Sequence, residues 1–278
     1  MPTDLVAGDL RLDMPAEEYH RRELGVASKS GLDQIRRSPA HYRAWVDGYE
    51  SEITPAMEFG SLTHLYVLQP AVAFDKVAVR PVFGDLRKTA NKEAKAVWDV
   101  ENAGRLHVGI EDWDKIRRIG DAVHKHPIAG RLVSQCQAEV SAYWVDETGL
   151  QCKARLDAWC PSLRIIADLK TCADASEDAF ARSVHNFRYH VQDAFYSAGV
   201  EAITGHQVKA FVFIAVEKEP PYAVCTYRLD DISRELGREE FRQDIRTLRE
   251  CVEKGEWPSY GDSTKTISLP SWAFKGKR

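Results

Sequence analysis

Two aspartates and a lysine form the strongest chemical constellation in this sequence. The run Arg164-Ile165-Ile166-Ala167-Asp168-Leu169-Lys170 has the character of a β-strand. Side chains two apart leave a strand on one face, so Asp168 and Lys170 project together while Ile165, Ala167 and Leu169 project oppositely. In the preceding run, Gln151 to Cys160, Lys153, Arg155 and Asp157 share one face, with Cys152, Ala154, Leu156 and Ala158 on the other. If the short turn Pro161-Ser162-Leu163 makes the two runs antiparallel neighbours, Asp157 and Asp168 approach each other. Close carboxylates repel unless a cation lies between them, and Mg²⁺ prefers hard oxygen ligands. This is a candidate divalent-metal site with an ammonium beside it, and its chemistry fits phosphodiester hydrolysis. A metal there would polarise a phosphoryl oxygen and acidify bound water, and the lysine would orient that water or stabilise transition-state charge. Mn²⁺ could take the same ligands. The plain alternative is an Asp–Lys surface pair, because D-x-K is a short pattern.

Those residues need a sheet to hold them. Three successive strands are predicted, Ala138 to Val145, Gln151 to Cys160 and Arg164 to Thr171, with turns at Glu147-Thr148-Gly149 and Pro161-Ser162-Leu163. Helices follow from Glu177 to Asn186 and from His190 to about Ile203. Val208 to Val216 is a strongly apolar strand, with Tyr222 to Leu229 as its hairpin partner. A charged amphipathic helix from Asp231 to Lys254 leads into an irregular tail with Trp257-Pro258 and Leu269-Pro270-Ser271-Trp272. The order indicates an α/β (α+β) fold whose central mixed β-sheet is flanked by helices. Upstream, Ser28 or Ser30 caps a short helix carrying Leu32 and Ile35, and Pro39 starts a second. The run Met57 to Leu68 is a helix ended by Pro70, with Phe59, Leu62 and Tyr66 at helical spacing and His64 off that stripe. From about 85 to 126 the chain is polar and helical in character. Its basic groups (Arg87, Lys88, Lys92, Lys95, Lys115, Arg117, Arg118) read as solvated helix faces before a DNA-contact surface. One domain is expected, with a mainly helical part to about 136, a core from about 137 to 256, and a tail from 257 to 278.

Composition narrows the class without naming a substrate. The 278 residues are 44% hydrophobic and 29% charged, which fits a folded globular chain rather than a disordered one. A net charge of −4 disfavours coating nucleic acid through a global positive field, but leaves room for local phosphate contacts assisted by metal. No apolar run approaches the roughly 20 residues of a membrane span. Met1 to Leu12 lacks the apolar stretch of a secretory signal, so the expected address is cytoplasmic. The six cysteines form no CxxC pair and read as reduced, buried thiols rather than zinc or iron–sulfur ligands.

Asp157 followed by Asp168-Leu169-Lys170 resembles the PD-(D/E)xK signature of RecE-like and lambda-type exonucleases and RecB-like nuclease domains. Gln192-Asp193-Ala194-Phe195-Tyr196 resembles their QxxxY motif, and Phe59-Gly60-Ser61-Leu62-Thr63-His64 resembles their upstream G-x-x-x-H motif. With Ser28-Lys29-Ser30 and Trp257-Pro258, the resemblance to RecE-like exonucleases runs roughly from Ser28 to Trp272 and implies a restriction-endonuclease-like core. It implies Asp157 and Asp168 as principal metal ligands, the Leu169 carbonyl as a backbone ligand, and Lys170 serving the attacking water. His64 would be a further ligand or near-metal group, or else a hydrogen-bonded helix histidine. Glu139 resembles the acid on the preceding strand and would serve a second metal directly or through water, with Glu147 as a weaker competitor. Gln192 and Tyr196 share a helix face. The amide would bond a phosphate or the water; the phenol would bond a phosphate or pack in the core. Arg155 would contact the scissile phosphate or form a structural salt bridge. The resemblance further implies Mg²⁺-dependent digestion of linear double-stranded DNA from a 5′ end, leaving a 3′ single strand. A ring-like homo-oligomer, a RecT-type annealing partner and a bacterial or phage setting go with it. The competing readings are a related endonuclease, a single-strand-specific nuclease, and an inactive DNA-binding assembly subunit.

Overall fold

The segment Ala210–Val216 is apolar throughout and buried along its whole length, as a strand in the middle layer of a helix–sheet–helix sandwich must be. The computed structural model describes residues 8–49, 54–261, 263–270 and 273. In chain order the elements begin β1 (Asp9–Arg11), α1 (Ala16–Tyr19), α2 (Lys29–Arg37), α3 (Pro39–Val46), α4 (Pro55–Leu68), α5 (Pro70–Lys76) and β2 (Val77–Arg80). Then come α6 (Thr89–Glu101), β3 (Leu106–Gly109), α7 (Ile110–Lys125), α8 (Ala129–Gln135), β4 (Gln137–Val145), β5 (Gln151–Cys160) and β6 (Ile165–Cys172). The chain continues through α9 (Glu177–Asn186), α10 (Tyr189–Thr204), β7 (Ala210–Glu217), β8 (Val224–Tyr227) and α11 (Asp231–Lys254).

Six strands form one sheet in the order β1-β4-β5-β6-β7-β8, and β2 and β3 form a small parallel pair apart from it. Within the large sheet only β6 and β7 run parallel; their connection is the crossover through α9 and α10. The mixed, helix-flanked sheet expected from the sequence is the one observed. Alternation along the strands sorts side chains between two layers. Ile166 enters a core with Leu32 of α2, Phe195 of α10 and Ile245 of α11. Its neighbours Ala167 and Leu169 enter the opposite core, with Val67 and Leu68 of α4, Ile119 and Val123 of α7 and Leu132 of α8.

Local signals account for most element ends. Ser28 caps α2 by accepting from Gly31 N at 3.2 Å, and Ser38 with Pro39 starts α3. Asp146 Oδ1 closes the β4–β5 turn by accepting from the backbone of Thr148 and Leu150, and Gly149 takes the left-handed position at φ +81°. Trp257 stacks on Tyr42 at 5.5 Å and anchors the start of the tail; Ser271 and Trp272 lie outside the described residues, as do Met1 to Ala7.

The structure departs from the sequence reading at three places. Pro70 does not merely stop α4: it occupies the first turn of α5, where a missing N–H is harmless. The 85–126 stretch contains β3 between its helices, and Asp9–Arg11 is a strand. Both are short strands that take their conformation from a partner, β2 and β4 respectively. Among the described residues no helix is long and apolar enough to cross a membrane.

Candidate active site

The site is made by two strands that part company. β5 and β6 pair at only three positions, Ala158↔Ala167, Trp159↔Ile166 and Cys160↔Ile165. Beyond them β5 follows β4 back to Gln151, while β6 follows β7 to Cys172. Asp157 and Asp168 are the first residues past the last shared pair, one on each prong. In place of a strand carbonyl, Asp157 Oδ2 receives the Leu169 N–H at 2.8 Å. The N–H and C=O of one residue leave the same edge of a strand, so the Leu169 carbonyl also opens into the fork.

Each helical layer sends one residue to the fork. On α4, His64 shares the sheet-facing side with Val67 and Leu68, and its Nδ1 lies 3.3 Å from Asp157 Oδ2. Leu62 and Tyr66 instead turn toward the small cluster around Ile116 of α7, and Phe59 packs against both clusters. From the other layer, Gln192 of α10 donates through Nε2 to Asp168 Oδ1 at 2.5 Å. Lys170 Nζ lies 2.6 Å from Asp168 Oδ2 and 4.6 Å from the centre of the Tyr189 ring. This oxygen is buried, and the ion pair with Lys170 is its one partner among the described residues.

Burial and mutual charge set the proton affinities. Burial pushes the Asp168 carboxyl up to about 6; Lys170 opposes the shift and Asp157 adds to it. Asp157 meets the same burial penalty, but His64, Lys170 and the Leu169 N–H outweigh it and hold the carboxyl below its usual value. For His64 and Lys170 burial favours the neutral form, yet the two aspartates prevail and raise both. The fork therefore holds two acids of divergent affinity and two basic groups whose proton affinity they raise.

A metal can be tested against this donor set. Among the described residues no three His, Cys, Asp or Glu side chains converge as a ready-made cage. A hydrated Mg²⁺ asks for less, since it keeps several waters and takes one or two carboxylates. Asp157, the undersatisfied Asp168 Oδ2 and the Leu169 carbonyl meet that demand, so the residues fit Mg²⁺ or Mn²⁺.

The remaining sequence candidates fall around this centre. Glu139 adopts φ +57° where the β4–β5 ladder skips a pair, between Ala138↔Ala158 and Val140↔Leu156. Burial, then Asp157, raises its carboxyl against the pull of Arg155, so it borders the fork from the neighbouring strand. Its Oε2 accepts from Arg155 Nε at 2.6 Å. Arg155 also donates to the Met14 carbonyl at 3.0 Å and to Ser141 Oγ at 3.2 Å, and so carries the structural salt bridge. Tyr196 is buried one turn beyond Gln192; burial, Tyr19 and the two fork aspartates push its phenol well above the usual value. Glu147 sits apart, on the β4–β5 turn near Arg242 at 3.7 Å.

Sequence reasoning missed Tyr189 and the role of Lys29. Tyr189 opens α10 and lies under the Lys170 ammonium, and nothing in its spacing distinguishes it from a core aromatic. Lys29 donates to Asp33 at 2.6 Å and to the Phe187 carbonyl at 2.7 Å, tying α2 to the start of α10. Its place inside Ser28-Lys29-Ser30 was the available signal.

Comparison with known proteins gives the family and the fold. A family described as a PDDEXK-like domain of unknown function matches residues 28–270. A solved structure from Eubacterium rectale, provisionally described as an exonuclease, superposes with a TM-score of 0.64 at 17% identity, covering 92% of this chain and 96% of that one. At that identity the likeness is one of fold. A phage-related exonuclease from Haemophilus somnus aligns at 11% identity with a TM-score of 0.33, over 76% of this chain and 99% of that one. No curated protein matches the sequence significantly.

Proposed function

This chain belongs to the family of PDDEXK-like domains, and from that premise we propose that it is a Mg²⁺-dependent exodeoxyribonuclease. Its substrate in this reading is linear double-stranded DNA, degraded 5′ to 3′ to leave 3′ single strands for recombination. One observation carries the reading: Asp157 and Asp168 stand on the two prongs of a strand fork, with Lys170 as the one partner of a buried Asp168 oxygen among the described residues.

Asp157, Asp168 and the Leu169 carbonyl would hold the cation, with His64 bonded to Asp157 and Glu139 bordering it. When bound, the metal supplies Lewis acidity and an acidified water. Without the cation, the two aspartates hold the Lys170 ammonium above its usual proton affinity, and its Nζ lies 2.6 Å from Asp168 Oδ2. As an ammonium it donates: it orients the attacking water and offsets negative charge growing on the phosphate. Gln192 holds Asp168 in its rotamer through Oδ1 and leaves Oδ2 turned toward the fork. Tyr196, with its phenol kept neutral, offers a donor on the same helix face.

The RecE-like resemblance extends the proposal to a ring-like homo-oligomer on DNA ends, a RecT-type annealing partner and a cytoplasmic bacterial or phage setting. The test is digestion of blunt linear duplexes labelled at either terminus, beside covalently closed circles, with Mg²⁺ or Mn²⁺. Nucleotide release from the 5′-labelled end of linear DNA, absent in Asp168→Asn, is expected. Cleavage of closed circles would make the chain an endonuclease, and preference for single strands would reassign the substrate. Intact DNA with folded protein and either metal would leave an assembly subunit.

A further inference from the structure

Between α9 and α10 the chain makes a tight, heavily anchored turn that leaves one aromatic ring in solvent. Arg188 sits in the left-handed region at φ +54°, an unfavourable place for a residue with a β-carbon. Its guanidinium is held by Asp33 at 2.9 Å, Glu240 at 3.1 Å and Asp244 at 2.5 Å, on helices α2 and α11. The preceding carbonyl, that of Phe187, accepts from Lys29 at 2.7 Å. With both ends of the turn fixed, Phe187 remains 59% exposed. Its ring stacks on Tyr189 at 5.6 Å with the planes 26° apart, and Tyr189 in turn carries Lys170 Nζ at 4.6 Å.

A lone exposed phenylalanine is ordinary. The backbone of this one is anchored on both sides, and its ring is joined through a single ring to the lysine of the fork. We propose that Phe187 is a nucleobase-stacking residue that holds the base beside the scissile phosphate; the proposal rests on the nuclease reading above. Every base has a π-face, so such a platform binds DNA without reading its sequence. Inside a duplex those faces are already covered by neighbouring pairs. A fixed ring can therefore reach only a terminal or unpaired base, so Phe187 would select DNA ends and frayed strands. The anchored turn matters because a pre-set ring loses little freedom on binding.

The test is a cycle of protein and substrate changes. Wild type, Phe187→Ala and Phe187→Trp are assayed on linear duplexes with normal termini and on duplexes abasic at the terminal nucleotide of either strand. Thermal melts should match, since the ring is exposed. Phe187→Ala should raise KM on normal DNA by roughly 5- to 150-fold, the range of one lost base stack, and Phe187→Trp should restore it. The abasic end should impose a similar loss on wild type and no further loss on Phe187→Ala. Equal KM for Ala and wild type, or losses that multiply, would overturn the proposal while leaving the nuclease reading intact. Wild type that degrades no DNA would overturn both.

Discussion

Asp168 is a buried carboxylate with only part of its bonding capacity used, and Lys170 compensates it at close range. Removing the cation changes two things: the fork loses a donor to the substrate, and two neighbouring acids lose their shared counter-charge. Lys170→Met should therefore lower kcat by roughly 10²–10³, the scale of a lost charge-stabilising donor, while Lys170→Arg keeps part of the rate. Steady-state kinetics at saturating Mg²⁺ checks this, and an unchanged kcat in Lys170→Met would remove Lys170 from the chemistry. Asp168→Asn should weaken Mg²⁺ binding by calorimetry as well as abolish turnover, because a neutral amide is a poor ligand for a hard cation. The core of this site was legible because strand alternation is rigid: Asp168 and Lys170 must share a face, and a short turn must return Asp157 toward them. Arg155 shows the limit. Face alternation put it with Asp157, but only the fold supplied Glu139, Ser141 and the Met14 carbonyl that occupy its guanidinium. Tyr189 reached Lys170 through the packing of α10 on β6, which no local pattern encodes.

Helix α10 is the element on which the site depends, since it carries Gln192 and Tyr196 and is buried along most of its length. Its junction with α9 relies on Arg188, whose loss would leave Glu240 and Asp244 without their guanidinium while Asp33 kept only Lys29. Arg188→Ala should destabilise the protein by about 3–5 kcal/mol, the scale for breaking a buried ion-pair group, read from denaturant unfolding. A loss below about 1 kcal/mol would mean that water replaces the guanidinium. The α10–α11 contact holds a second buried charge, Asp193, whose carboxyl burial pushes up to about 6 although Arg234 and Ser197 pull it down. A carboxyl with raised affinity favours the folded state while protonated. Its stabilisation is full below about pH 4, the unfolded value, and is lost as pH rises through about 6. Asp193→Asn abolishes this dependence, so the stability difference should shift toward the variant by about 2–3 kcal/mol between pH 4 and pH 7. A difference flat across that window would place the Asp193 carboxyl near its ordinary value. At this scale the sequence was most informative for long elements. β5, α9 and α11 run where periodicity and turn residues put them, because each satisfies its own pattern. β1 and β3 have only three and four residues, and the pairings that define them are with distant segments.

The whole molecule adds a constraint on how the proposed DNA substrate would be held. With 38 Lys and Arg against 42 Asp and Glu, the chain has no net field to draw in a polyanion. Much of the basic surface is also locally cancelled: Arg43 pairs with Asp47, Arg118 with Asp114, Arg249 with Glu253 and Lys115 with Glu219. In the proposed nuclease, affinity would then come from a few contacts at the fork, the cation and stacking, rather than from a broad basic face. Counterion release counts those contacts, because the logarithm of affinity falls by about 0.9 per log unit of salt for each phosphate neutralised. At fixed Mg²⁺, log(kcat/KM) on linear duplex should therefore fall with the log of monovalent salt with a slope no steeper than about −4, or roughly four phosphates per chain. A slope near −8 would show a far larger phosphate footprint than this surface offers one chain. Phosphate contacts would then have to be shared among several copies, and the ring-like assembly would become a condition of binding. The same titration on Phe187→Ala should displace the line without changing its slope, since stacking releases no counterions.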